Sequence, residues 1–309
     1  MGSALAADLR GRGLTSQQTA MIQITSPANP RIKRARELHT GAGRKKHRLF
    51  LMEGPHLLET LLDRAVSGGE EMLPEEIFYQ PELLQRTAKG RALLERLLRF
   101  EALSQRLVEV SERVIEALSD TQTSQGVVSV LPLALFAPDR LRANRPAAYR
   151  PALLILDDIT DPGNMGTILR TALAANVDAV LLTPGCVDPF NPKVVRAAAG
   201  AHVALPIEID MSWNAIAHRV ARPQGPHVLL AEAGSPHMYY TQDLTRPFAL
   251  IIGNEAHGPS PQARSLATLT ISIPLANGVE SLNAAMATGI ILYEGVRQMQ
   301  VAQEAKKQG

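Results

Sequence analysis

The stretch Leu153–Ala174, LLILDDITDPGNMGTILRTALA, decides the fold. Leu153, Leu154, Ile155 and Leu156 form a short apolar run that meets Asp157, Asp158 and the turn pair Asp161-Pro162, which predicts a buried strand ending in a loop. A helix follows at once. Ile168, Leu169, Ala172, Leu173 and Ala175 recur at helical spacing, just behind Gly163 and Gly166. The loop therefore sits at the carboxyl end of a parallel-type strand, where open α/β sheets place their ligands. Two polar side chains stand out: Asn164, expected in the loop, and Arg170, expected to project from the early helix toward the same mouth. Each also has a plain reading, Asn164 as a cap or turn former and Arg170 as a solvated charge.

Downstream, the same alternation continues. Strands are predicted at Leu153–Leu156, Ala179–Leu182, Val203–Ile209, Val228–Ala231, Phe248–Ile252 and Thr270–Ile273. Helices are predicted near Asn164–Ala175, Lys193–Ala199, Trp213–Val220, Pro261–Leu266 and Ser281–Gln300, which makes a parallel sheet of βαβ units. Upstream, strands at Leu49–Met52, Ile77–Tyr79, Leu107–Val110 and Val127–Leu131 alternate with leucine-rich helices, giving a smaller α/β domain. Its first helix is basic, roughly Arg31–His39, and Gly41 to Gly43 are expected to break it. Prolines at 132, 138, 146 and 151 bracket a stretch without a strong period. The expected organisation is a disordered tail over 1–20, a smaller α/β domain over 21–132, a linker over 133–150 and a second α/β domain over 151–309.

At 309 residues, 45% hydrophobic and 20% charged, the chain has the composition of a folded globular protein with room for two cores. Aromatic residues are only 4%, which disfavours a surface that grips single-stranded bases by extensive stacking. One cysteine, Cys186, leaves neither an intrachain disulfide nor a cysteine-clustered metal site, and no metal is expected. No run approaches the length of a membrane span, and no basic-then-apolar signal opens the sequence, so a cytoplasmic or organellar-matrix location is expected. Net charge is +2, unevenly spread. Arg31, Lys33, Arg34, Arg36, Arg44, Lys45, Lys46 and Arg48 crowd one segment against a single Glu37, a density suited to a polyanion. The alternative is a solvated helix face and loop.

Two further loops carry chemistry-bearing residues at strand ends. Leu250-Ile251-Ile252 runs into Gly253-Asn254-Glu255-Ala256-His257-Gly258, whose glycines suit close approach of backbone to a ligand. Ile273-Pro274-Leu275 leads through Ala276-Asn277-Gly278-Val279-Glu280 to Ser281-Leu282-Asn283, with Ser281 expected to cap the last helix.

In order and spacing, the segments 161–172, 252–258 and 273–283 resemble the three motifs of the SpoU/TrmH RNA 2′-O-ribose methyltransferases. The resemblance covers essentially all of Pro151–Gln300, and the first half is similar, more softly, to the substrate-binding domain that many of these enzymes carry. Ala256 stands where a glycine is common in the family, and Leu275 where methionine is frequent. The resemblance implies a carboxyl-terminal domain with a deep trefoil knot, S-adenosylmethionine in the knot's loops and a homodimer. It places the cofactor against Gly253, Ile273, Leu275 and Leu282, with Thr183 at a neighbouring strand end. Arg170 becomes the catalytic arginine, with Asn164, Glu255, Ser281 and Asn283 as polar companions. A guanidinium stays protonated, so Arg170 is read as an orienter of ribose or phosphate, with the proton leaving through a perturbed Arg170 or through the phosphate. Glu255 is read as a buttress of its loop rather than a base.

The expected function is S-adenosylmethionine-dependent 2′-O-methylation of large-subunit ribosomal RNA. A transfer-RNA ribose methylase is the near alternative. A non-catalytic RNA-binding assembly factor is the distant one, against which the intact Asn164, Arg170, Glu255 and Ser281 speak. A nicotinamide enzyme would need a Gly-x-Gly-x-x-Gly turn after the first strand, which Gly163-Asn164-Met165-Gly166 does not supply.

Overall fold

A computed structural model describes residues 22–68, 72–143, 152–221 and 226–308. The expected tail over 1–20 lies outside the described residues, as do 144–151.

The first half contains strands β1 (Ile22–Ile24), β2 (Leu49–Glu53), β3 (Glu76–Tyr79), β4 (Leu107–Val110) and β5 (Val127–Pro132). Its helices are α1 (Pro30–Glu37), α2 (Gly41–His47), α3 (Pro55–Gly68), α4 (Pro81–Gln85), α5 (Ala88–Arg99), α6 (Glu112–Leu118) and α7 (Pro138–Ala143). The strands order as β1-β4-β3-β5-β2, with β5 antiparallel to both neighbours and the other pairs parallel. The expected strands of this half each match within a residue.

Two expectations change here. Gly41 to Gly43 do not end the basic segment but open α2, with the Thr40 hydroxyl accepting from the Gly43 N–H at 3.0 Å. The turn between α1 and α2 is so tight that a Cβ on Gly43 would lie 1.9 Å from the Glu37 carbonyl oxygen, so only glycine fits. The expected linker is also structured over 133–143: Leu133–Phe136 form a 3-10 turn and α7 follows. Leu135, Phe136 and Leu141 are buried against the first half's core: the apolar run of β5 continues into Leu135 and Phe136, and α7 turns Leu141 inward after Asp139 and Arg140.

The second half contains β6 (Ala152–Leu156), α8 (Pro162–Ala174), β7 (Ala179–Leu182), α9 (Pro192–Ala197), β8 (Ile207–Glu208), α10 (Trp213–Val220), β9 (His227–Ala231), β10 (Phe248–Ile252), α11 (Pro261–Leu266), β11 (Leu269–Ile271) and α12 (Ala284–Gln308). The sheet order is β11-β9-β10-β6-β7-β8, and every pair is parallel. β6 and β10 are buried along their whole length, as expected where helices cover both faces. α8 and α12 cover one face, while α10 and α11 cover the other. The expected strand at Val203–Ile209 shrinks to Ile207–Glu208, because Ala201–Val203 wind into a 3-10 turn after Gly200, which sits at φ 89°.

The sheet reverses direction between β6 and β10. From β6 the chain moves outward to β7 and β8; from β10 it moves the other way to β11. Leu156, Ile252 and Ala231 are register partners, so the carboxyl ends of β6, β10 and β9 lie side by side. Such a switch point leaves a crevice in which a ligand can sit.

The two halves share one packed junction. Phe190, from the loop after β7, lies with its ring centroid 4.9 Å from Phe50 and 6.4 Å from Phe136. Val195 and Val203 join the same cluster. Arg64 donates to the Val203 carbonyl at 2.6 Å, and Arg196 pairs with Asp120 at 3.0 Å.

Candidate active site

The loops leaving β6 and β10 are built on one another. Asp157 follows β6 directly, and its carboxylate accepts from the Ser260 N–H at 2.7 Å, in the loop beyond β10. Asp158 has φ 59°, which turns its carbonyl toward Asn254, whose carboxamide donates to it at 2.8 Å. The Asn254 carboxamide oxygen in turn accepts from the Ala256 and His257 N–H groups at 2.8 and 3.2 Å. The 253–259 turn then curls back so closely that a Cβ on Gly253 would lie 2.5 Å from the Pro259 nitrogen. Glycine is required there by the turn itself.

Into this frame α8 delivers Asn164. Asp161 is the N-cap, accepting from the Asn164 N–H at 2.7 Å, so Asn164 sits inside the first turn rather than in the preceding loop. Its carboxamide nitrogen donates to the Glu255 carboxylate, and its oxygen accepts from the Asn283 carboxamide at 2.8 Å. One side chain thus joins all three loops. Asn283 also caps α12, accepting from the Ala285 and Met286 N–H groups at 3.0 and 3.2 Å. Ser281, expected as that cap, lies two residues too early and instead lines the neighbouring cleft.

That cleft, of about 260 Å³, opens at the carboxyl ends of β9, β10 and β11. Its size is at the lower end for a small-molecule site. Four of the five residues expected to meet a cofactor line it: Gly253, Ile273, Leu275 and Leu282. Thr183 does not. It is buried at the end of β7, where its hydroxyl accepts from the Asp158 N–H at 3.0 Å and donates to the Leu156 carbonyl at 3.3 Å. The third wall is formed by Ala231, Glu232 and Ala233, which the sequence reading passed over; their signal was the end of a strand parallel to β10. Glu232 is held by Arg264 at 2.5 Å, and Arg264 also donates to the Pro259 carbonyl at 2.6 Å.

Arg170 stands apart from the Asn164 bridge. It lies six residues further along α8, about 9 Å up the axis and a third of a turn round. It is exposed and, among the described residues, has no hydrogen-bond or ion-pair partner. Cys186 is half-buried, and burial pushes its thiol upward, which suits a packing residue.

The basic segment divides. Arg31 pairs with Glu76 at 2.7 Å, and Arg34 pairs with Glu75. Lys46 and His47 both engage Glu37 at 2.8 Å and hold its carboxyl at about 2. Arg44 is 3% exposed and reaches into the junction between the halves, so it does not belong to an RNA-facing surface. Lys33, Arg36, Lys45 and Arg48 remain exposed, without a partner among the described residues.

The sequence pattern of the SpoU rRNA Methylase family matches residues 151–293. An uncharacterised tRNA/rRNA methyltransferase of Synechocystis sp. is 34% identical over 91% of this chain and 96% of its own length. The chain belongs to the SpoU rRNA methylase family. The first half of this SpoU protein, residues 29–129, matches the MRM3-like substrate binding domain. The 23S rRNA (guanosine(2553)-2′-O)-methyltransferase RlmP of Bacillus subtilis is 31% identical, over 88% of this chain and 98% of its own. The crystal structure of an AdoMet-bound rRNA methyltransferase from Sinorhizobium meliloti superposes with a TM-score of 0.72 at 29% identity, covering 90% of this chain and 98% of that one.

Proposed function

We propose that this protein methylates the 2′-hydroxyl of a ribose in large-subunit ribosomal RNA. The observation that carries the reading is the Asn164 bridge, which ties Glu255 and Asn283 together beside the cleft at the switch point. The cleft suits S-adenosylmethionine. Apolar Ile273, Leu275 and Leu282 offer a wall for an adenine, and the Gly253 turn offers backbone groups for its edge. S-adenosylmethionine bound there supplies a methyl group on a positively charged sulfur.

The chain's own residues then have separable tasks. Arg170 is a donor only, so it holds the ribose oxygen or the adjacent phosphate in place, while the hydroxyl proton leaves to a phosphate oxygen of the RNA. Asn164 and Asn283 fix the loops that border the acceptor, and Glu255 braces Asn164. Orientation of this kind accounts for a large part of the acceleration expected in a transfer between two bound partners.

Two expectations of the family belong to the same proposal. The return of the chain from edge strand β11 to Asn283, alongside α8, is the path on which the trefoil knot would close. Met286, Tyr293 and Val301 form an exposed apolar stripe on α12, which suits a second copy of the chain. Among the described residues no helix is long and apolar enough to cross a membrane. The related bacterial and mitochondrial rRNA methyltransferases favour work in the cytoplasm or an organellar matrix.

The test is methyl transfer from labelled S-adenosylmethionine to ribosomal and to transfer RNA, with the modified ribose mapped. Label in large-subunit RNA at one 2′-oxygen is expected; label confined to transfer RNA overturns the choice of substrate.

A further inference from the structure

We infer that Arg44 is a positioning residue that fixes the RNA-gripping surface of the first half relative to the cleft of the second, so that the enzyme selects its ribose by a set span. The inference rests on the proposed RNA methylation.

Arg44 is engaged on every side. Its Nε and Nη2 meet Asp188 Oδ2 at 2.8 and 2.6 Å, across the junction. Its Nη1 donates to the Leu38 and His39 carbonyls at 2.9 and 3.1 Å, the end of α1. A planar guanidinium held at four points has no alternative rotamer to adopt. Lys45 and Arg48, one and four residues on, are exposed cations on the outside of the same short helix and its cap, without a partner among the described residues. The clamp therefore sets where those charges stand.

On the other side, the clamp reaches the site through direct hydrogen bonds. Asp188 accepts from the Phe190 N–H at 2.8 Å, which seats the Phe190 ring against Phe50 and Phe136. Its neighbour Val187 donates its N–H to the Ile159 carbonyl at 2.9 Å, in the loop that leads to Asp161 and Asn164. Asp158, one residue before, is held by Thr183 and by Asn254, next to Glu255. Three bonded loops thus separate the cations of α2 from the Asn164 bridge, and none is free to swing. Other charges at the junction are Arg64, which donates to the Val203 carbonyl, and the pair of Arg196 with Asp120.

Such a ruler predicts a dependence on RNA length. Arg44→Met and Asp188→Ala are compared with the wild type, as full chains, on a large-subunit RNA fragment and on a short hairpin that carries only the methylated ribose and its stem. On the long fragment both variants are expected to lose about 10-fold or more in kcat/KM, chiefly through KM, and to spread methyl groups onto neighbouring riboses. Arg44→Lys, which keeps the charge but gathers its donors on one nitrogen, falls between. On the short hairpin, which does not reach α2, all forms are expected to match, and calorimetry gives one S-adenosylmethionine affinity throughout. Unchanged KM and a single modified ribose on the long fragment would overturn the inference. So would an equal loss on both RNAs, the mark of a folding defect. A wild type that binds S-adenosylmethionine yet methylates neither RNA would overturn the proposed substrate instead.

Discussion

Asn164 uses both ends of its carboxamide inside the site, donating to Glu255 and accepting from Asn283. An Asn164→Ala variant unties three loops at once and is expected to lower kcat roughly 10- to 100-fold, as a loop shift of about 1 Å would. Single-turnover methylation checks this. Arg170→Ala removes a group that touches neither the bridge nor the cleft, so it is expected to abolish transfer while calorimetry finds S-adenosylmethionine affinity intact; undiminished turnover would remove the assignment. The residues of this constellation were legible because each follows a strand in a polar, glycine-bearing loop. Their pairing was not. Nothing local in the sequence shows that Asn283 rather than Ser281 caps α12, since both are good caps and only the position of the helix start decides.

At the level of elements, α1 and α2 show how misleading a charge count can be. Four of the eight cations are countered by Glu37, Glu75, Glu76 and Asp188, and Asp188 lies 144 residues from its partner. Folding alone brings Glu75, Glu76 and Asp188 in. Neutralising Lys45 and Arg48 together is therefore expected to flatten the salt dependence of RNA binding by about 0.7 to 0.9 in log–log slope for each phosphate no longer engaged. Neutralising Lys46, already matched by Glu37, is expected to do less. Filter binding between low and moderate salt separates the two. Most helices and strands were readable from period alone, because both sheets bury their strands and both halves alternate regularly. β1 was not, since three residues carry no period, and the shortened β8 was not, since the apolar run before it is buried as a turn rather than a strand.

For the whole molecule, the junction carries a titratable weak point. His202 is fully buried there, with Nε2 against the Pro189 carbonyl at 2.7 Å and Nδ1 without a partner among the described residues. Burial pushes its imidazole down to about 4 from 6.5. The folded chain then binds fewer protons than the unfolded one between those values, so stability is complete above pH 6.5 and falls as pH drops toward 4. The loss is of the order of 3 kcal/mol. Urea midpoints measured across that range check it, and His202→Asn is expected to flatten the slope while lowering stability at neutral pH.

α8 and α9 pack tightly at Gly166, where an added Cβ would come within 2.4 Å of the Ala197 Cβ and 2.9 Å of the Val194 carbonyl. α8 bears Asn164, and α9 bears Val195 and Arg196, which touch the first half. One extra methyl group at this spot would pry the two helices apart and tilt the amino-terminal lobe along with α9. A lone hydrogen atom where other residues carry a side chain thus sets the reach of the enzyme toward its nucleic acid.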